Sequence, residues 1–303
     1  MNRRDSIKAL GILSFASVFE SSFALDFKKP FFKISLAEWS LHRELQAGKM
    51  INLDFPIIAK RDFGISAIEY VNSFFKDKAQ DTKYLSDLKL RCNSEGVKSL
   101  LIMCDGEGSL GDTDSSLRIK AVENHFRWLE AASYLGCHSI RVNAAGSGSK
   151  EEVAKTAADG LFRLSEKAKS FNLNVIVENH GGFSSIGTWL SKVIEQVNLP
   201  NCGTLPDFGN FCVRSESNTC AEEYDRYTGV DELMPYAKAV SAKSYNFDDD
   251  GNCVETDFLR MLQIVKRSGY KGHIGIEYEG SQLSERDGIK ATLNLLNKVG
   301  SRL

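Results

Sequence analysis

Three acids stand at the ends of apolar runs in the second half of the chain. Glu178 closes LNVIVEN (173–179), Asp207 closes CGTLPD (202–207), and Glu277 lies in HIGIEYEG (273–280). Aliphatic residues leading straight into an acid carry the charge to where water is scarce, and a buried charge is costly without a partner. Three such carboxylates held close together in a low dielectric repel strongly. Either some remain protonated or a divalent cation neutralises them, with salt bridges to loop Lys or Arg as the alternative fate of any one acid. An oxygen-rich donor set suits Mn²⁺ or Mg²⁺, and an added imidazole moves the preference toward Mn²⁺, Co²⁺ or Zn²⁺. The available imidazole is His180, in VIVENHGGF, and the available ammonium is Lys243, in AVSAKSY.

Bringing these groups together requires strands whose ends meet. Short apolar, β-branched runs recur along the chain: FKISLAEW (32–39), SAIEYV (66–71), VKSLLIMC (97–104), HSIRVN (138–143), the two that carry Glu178 and Asp207, AVSAKSY (239–245), and HIGIEYEG. Their near-continuous apolar character is that of parallel strands covered on both faces. Between them, 115–135 and 151–170 show apolar residues at helical spacing, as does 284–298 at the end. Gly96 and Gly136 stand where a helix would stop. Eight β-then-α units predict a (β/α)₈ TIM barrel over residues 26–303. An open doubly wound sheet is the alternative, but no G-x-G-x-x-G follows the first strand. In such a barrel the active site lies at the C-terminal ends of the strands. There the sequence also places Glu69, Arg141, Asn143 and Glu279. We expect Glu69 and Arg141 to pair beneath the site, and Glu279 to share the facing of Glu277. Trp39 and His42, after the first strand, are candidates to wall a sugar-sized pocket with Phe208 and Phe211. Lys243 either supplies positive charge or a proton, or serves as a structural partner for Asp207.

Residues 1–25 read differently. Arg3-Arg4, an apolar run from Ala9 to Phe19 and small residues after it form an export signal of twin-arginine type. The expected location is therefore the periplasm. The run is too short for a stable membrane span. The whole sequence, 42% hydrophobic and 26% charged, has the composition of a soluble globular protein, and its net charge of −2 gives no reason to expect nucleic acid as a partner. None of the seven cysteines forms a CxxC pair, so a thiolate zinc site is not expected. They read as small buried hydrophobes, with one disulfide possible between partners the sequence does not choose. NFDDDG (246–251) begins like a calcium loop, but Asp257 stands where that loop needs Glu, and a solvated loop is the better reading. CDGEGSLGD (104–112) lacks the lysine of a phosphate loop and reads as a mobile rim loop. The sequence does not set an oligomeric state.

IVENHGG, TLPDFGN and GIEYEG, at these separations, resemble the xylose-isomerase-like barrel superfamily of sugar isomerases, ketose 3-epimerases, inosose dehydratases and endonuclease IV relatives. The resemblance implies a divalent metal, Mn²⁺ first among the candidates, held by Glu178, Asp207 and Glu277. It also implies that Glu178 and Glu277 move protons and that His180 contacts the substrate. Two positions depart from the family pattern. Ser241 stands where the family's H-x-K motif has its histidine, while Lys243 is kept, and Asn210 stands where a histidine follows the strand-six Asp. Asn210 is then a substrate-side candidate, and three readings follow for the metal: water completes its shell, His180 swings in, or the metal is weak or lost. The expected function is a metal-dependent isomerase or epimerase acting on an unphosphorylated sugar or keto-sugar. A lyase or dehydratase acting on a 3-keto-glycoside and a non-catalytic sugar-binding barrel are the alternatives.

Overall fold

Strands form where the aliphatic runs stand. They are β1 (Lys33–Ala37), β2 (Ala67–Val71), β3 (Lys98–Met103), β4 (Ser139–Val142), β5 (Asn174–Glu178), β6 (Cys202–Leu205), β7 (Cys212–Glu216), β8 (Thr219–Glu223), β9 (Val240–Ser244) and β10 (His273–Tyr278). The structure is a computed structural model that describes residues 29–217 and 219–303. The export signal expected over residues 1–25 lies outside them.

Eight of the strands make one parallel sheet in the order β6-β5-β4-β3-β2-β1-β10-β9. Parallel bridges from Thr204 to Ala237 and from Asp207 to Ser241 join its two edges and close it into a barrel. Backbone hydrogen bonds from Ser241 N to Pro206 O (2.9 Å) and from Phe208 N to Ser241 O (3.1 Å) lock that seam. The fold is the expected (β/α)₈ barrel. Its closure fixes the backbone of Asp207, so a candidate ligand sits on the joint that completes the cylinder.

Helices cover the outside. All five residues of β2 are buried, which is why these strands read as continuous apolar runs. Gly96 and Gly136 end their helices in the left-handed conformation, φ 64° and 82°, as their positions predict. The helix expected over 115–135 is instead two, Ser115–Asn124 and Phe126–Leu135. They break at His125, whose Nδ1 donates to the Ala121 carbonyl (2.7 Å) and competes for an acceptor of the helix ladder.

One element was not foreseen. β7 and β8 pair antiparallel as a hairpin outside the barrel sheet. Its sequence, CVRSESNTCAEE, is polar and mostly exposed, so no buried face marked it as strand. Cys212 and Cys220 form a disulfide across it, and the other five cysteines are buried and free.

Candidate active site

At the C-terminal mouth of the barrel, Glu178 ends β5, Asp207 follows β6 and Glu277 lies near the end of β10. Each offers an oxygen within 4.8 Å of the others, and all three residues are at most 3% exposed. Neighbours hold them in place. Asp207 Oδ1 accepts from the backbone N–H groups of Gly209 and Asn210, both at 2.8 Å. Asn179 clamps the Asp207 backbone, its Oδ1 accepting from Asp207 N at 2.8 Å and its Nδ2 donating to Asp207 O at 3.1 Å. Asn210 Nδ2 donates to Glu178 Oε1 (2.8 Å), and Ser241 Oγ donates to Glu277 Oε2 (2.9 Å). Glu178 Oε2 and Asp207 Oδ2 are left buried without a hydrogen-bond donor among the described residues. Buried oxygens of that kind call for a cation or a proton. The donor set therefore fits a divalent metal.

Two buried cations share the site. Lys243 Nζ lies 3.2 Å from Glu277 Oε1 on β10 and 3.1 Å from Glu279 Oε1 just beyond it, so its ion pairs run to these two acids rather than to Asp207. Arg141 Nη1 donates to Asp105 Oδ1 at 2.7 Å. Its Nε lies 2.7 Å from Glu178 Oε2, but without the alignment of a hydrogen bond. The expected Glu69–Arg141 pair does not form. Glu69 Oε1 accepts from Ser35 Oγ instead (2.6 Å), and its Oε2 has no donor among the described residues. Glu69 has room because residue 275 is glycine: a Cβ there would come within 2.7 Å of both carboxyl oxygens.

The electrostatics follow from burial and these neighbours. Burial pushes Glu178 up to about 7 against the pull of Arg141, and Asp207 up to about 7 against the pull of Lys243. Glu277 is equally buried, yet Lys243 and Arg141 outweigh that penalty and hold it below the usual carboxylate range. Burial, with the nearby charges of Glu277 and Glu178, raises Glu69 to about 7 despite the Ser35 hydrogen bond.

A cavity of about 380 Å³ opens beside the cluster, with Trp39, Val71, Met103, Arg141, His180, Glu277 and Glu279 on its walls. Trp39 stacks on His42 at 4.8 Å and on Phe74 at 5.8 Å. His42 supports the tryptophan from outside the cavity lining, its Nδ1 donating to the Trp39 carbonyl (2.7 Å). Glu279 reaches the cavity, as its spacing from Glu277 implies. Phe208 and Phe211 do not wall it. Both are fully buried, with Phe208 packed edge-on against Phe258 at 5.7 Å. Asn210, expected toward the substrate, is spent on Glu178. Asp105 on the cavity wall escaped the sequence reading, although it stands two residues past the end of β3, as Asp207 stands two past the end of β6. The rim loop that carries it is pinned rather than loose, because buried Glu107 accepts from Asn72, Arg127 and Trp128.

Comparison with known proteins now adds to this geometry. Residues 58–299 match the family described as Xylose isomerase-like TIM barrel. The chain belongs to that family. No curated protein matches it in sequence. Among solved structures, this family member is similar to an IOLI protein with a bound zinc atom, at TM-score 0.70 and 16% identity, over 89% of this chain and 99% of that one. It is also similar to a D-tagatose 3-epimerase-like protein, at TM-score 0.65 and 18% identity, over 89% and 99% of the two chains. A third is the probable 3-DHS dehydratase AsbF of Bacillus anthracis, at TM-score 0.63 and 17% identity, over 88% and 98%. At these identities the likeness is one of fold, and any reaction has to be argued from this xylose isomerase-like barrel's own residues.

Proposed function

We propose that the chain is a metal-dependent isomerase or epimerase that moves a proton beside the carbonyl of an unphosphorylated sugar or keto-sugar. The observation that carries this reading is the buried convergence of Glu178, Asp207 and Glu277 within 4.8 Å at the mouth of a sugar-sized cavity. A divalent cation held there, Mn²⁺ by preference for an oxygen-rich set, would polarise the substrate's carbonyl and acidify the adjacent C–H. Glu178 and Glu277 stand on β5 and β10, with β6 and β9 between them around the barrel. One takes the proton and the other returns it to the opposite face. Lys243 keeps Glu277 ionised and adds positive charge where the oxyanion develops. Trp39 offers apolar ring surface to sugar C–H groups, and His180 and Glu279 meet hydroxyls.

A lyase reading shares the first step and then expels a β-substituent. The observation favouring it is the pair of buried cations, Arg141 and Lys243, either of which can stabilise a departing oxyanion. The disulfide between Cys212 and Cys220 supports export to an oxidising compartment, where phosphorylated sugars are scarce. Proton NMR in D₂O, with Mn²⁺ and a panel of free ketoses and 3-keto-glycosides, tests the proposal. Loss of a C–H signal beside a carbonyl is expected, and it should vanish in Glu178→Gln; the product separates epimerase from lyase. Absence of exchange across the panel would sink both.

A further inference from the structure

Glu178 Oε2 has two claimants. It is one of two buried cluster oxygens without a hydrogen-bond donor among the described residues, and so an available ligand atom. It is also the atom that Arg141 Nε approaches at 2.7 Å. A carboxylate oxygen in contact with a guanidinium has that charge for a neighbour, and a dication bound there would bring two further positive charges against it in a poorly screened interior. We infer that Arg141 and the metal compete for Glu178 Oε2, so that metal binding requires the guanidinium to let go. This rests on the proposed metal site and goes beyond it by assigning Arg141 the role of setting the metal affinity.

Two features make the exchange feasible. The Nε contact is misaligned, whereas Nη1 of the same guanidinium is firmly bonded to Asp105 Oδ1 (2.7 Å). Asn143 Nδ2 donates to the same Asp105 oxygen at 2.7 Å and steadies it. Arg141 therefore keeps a counter-charge after leaving Glu178, and no bare buried cation results. Glu178 is likewise held through its other oxygen, Oε1, by Asn210. Both partners can part while each stays anchored. Arg141 already lines the cavity, so a released guanidinium faces the substrate.

The test is Mn²⁺ titration calorimetry on the full chain, comparing wild type with Arg141→Met and Asp105→Asn. Arg141→Met should bind Mn²⁺ more tightly by about 10- to 100-fold, the range over which neighbouring side chains tune metal sites. Asp105→Asn removes the alternative anchor and should weaken binding. A crystal structure of the wild type with Mn²⁺ gives the second readout, which does not depend on either variant folding. Arg141 Nε should be out of ion-pair reach of Glu178 Oε2. Unchanged or weaker binding in Arg141→Met, or an intact Arg141–Glu178 contact beside a bound ion, would overturn the competition while leaving the metal site standing. If wild type and both variants all fail to take up Mn²⁺, the metal reading itself fails.

Discussion

The two sides of the cavity are built from different chemistry. β1 to β3 and the turns after them contribute Trp39, Val71 and Met103, with Phe74 stacked behind, and a single acid, Asp105, which is paired with Arg141. On the other side, β10 and the residues just beyond it contribute Glu277 and Glu279, and His180 follows β5, with Glu178, Asp207 and Lys243 of the acidic cluster directly behind. Arg141, on β4, stands at the border and touches acids from both sides, Asp105 and Glu178. The difference teaches a division of labour. The apolar side excludes water and so lowers the local dielectric, and that strengthens every charge interaction on the acidic side. Substitutions on the acidic side should therefore change the rate, and those on the apolar side the occupancy.

The sharpest break falls on the acidic side. Glu277→Gln keeps the shape and removes the charge, and turnover should drop by about 100- to 10,000-fold, the usual contribution of a positioned acid or base. Its thermal stability should fall less than that of Lys243→Met, because Lys243 loses one counter-charge but keeps Glu279 at 3.1 Å; a collapse of the fold would mean that the residue is structural. Lys243→Met should act on both quantities. It leaves Glu277 buried beside Arg141 alone and takes from Glu279 its ammonium. Removing one partner of a buried ion pair costs about 3–5 kcal/mol, so a chemical-denaturation midpoint well below wild type is expected together with the lost turnover. An unchanged midpoint would show that the pair is solvated in solution.

Glu69 blurs the comparison and can sharpen it, because it is an acid supplied by β2, on the apolar side. Its carboxyl is raised from 4.5 to about 7, chiefly by burial. A raised folded-state pKa contributes stability that is fully present below pH 4.5 and is lost as pH climbs through about 7. Stability in EDTA should therefore fall between those limits, and Glu69→Gln should remove its share of the slope, on the order of 1–3 kcal/mol. Parallel pH profiles for the two proteins would mean that Glu69 titrates normally and is hydrated.

The same contrast explains what could be read from the sequence. An acid at the end of an aliphatic run violates local expectation, so Glu178, Asp207 and Glu277 stood out and the barrel brought them together. Wall residues violate nothing. Phe208 and Trp39 are both aromatics just beyond strand ends, yet the seam on which Phe208 lies turns it into the core against Phe258, while Trp39 faces the cavity. Only the direction of the chain after the strand separates them. The Glu69–Arg141 pairing failed for a related reason, since strand position gives a side chain's face but not its reach. Arg141 found Asp105 and Glu178, both at the mouth, and Glu69 stayed with Ser35. The hairpin of β7 and β8 left no signal because a strand pair without a buried face has no alternation to read.

Trp39 then offers the smallest and most discriminating test. Its ring lies on the cavity wall between His42 and Phe74, so truncation removes apolar contact from the substrate without touching an acid. Burying an aromatic or large aliphatic face is worth about 1.5–3 kcal/mol, and only part of the ring meets the ligand. Trp39→Ala should raise KM by roughly tenfold, which is the lower end of that range, and leave kcat within a fewfold of wild type. Loss of binding energy common to ground and transition states has that signature. If kcat falls instead while KM holds, the apolar side takes part in the chemistry, through the dielectric or through substrate placement, and the division between the two walls does not stand.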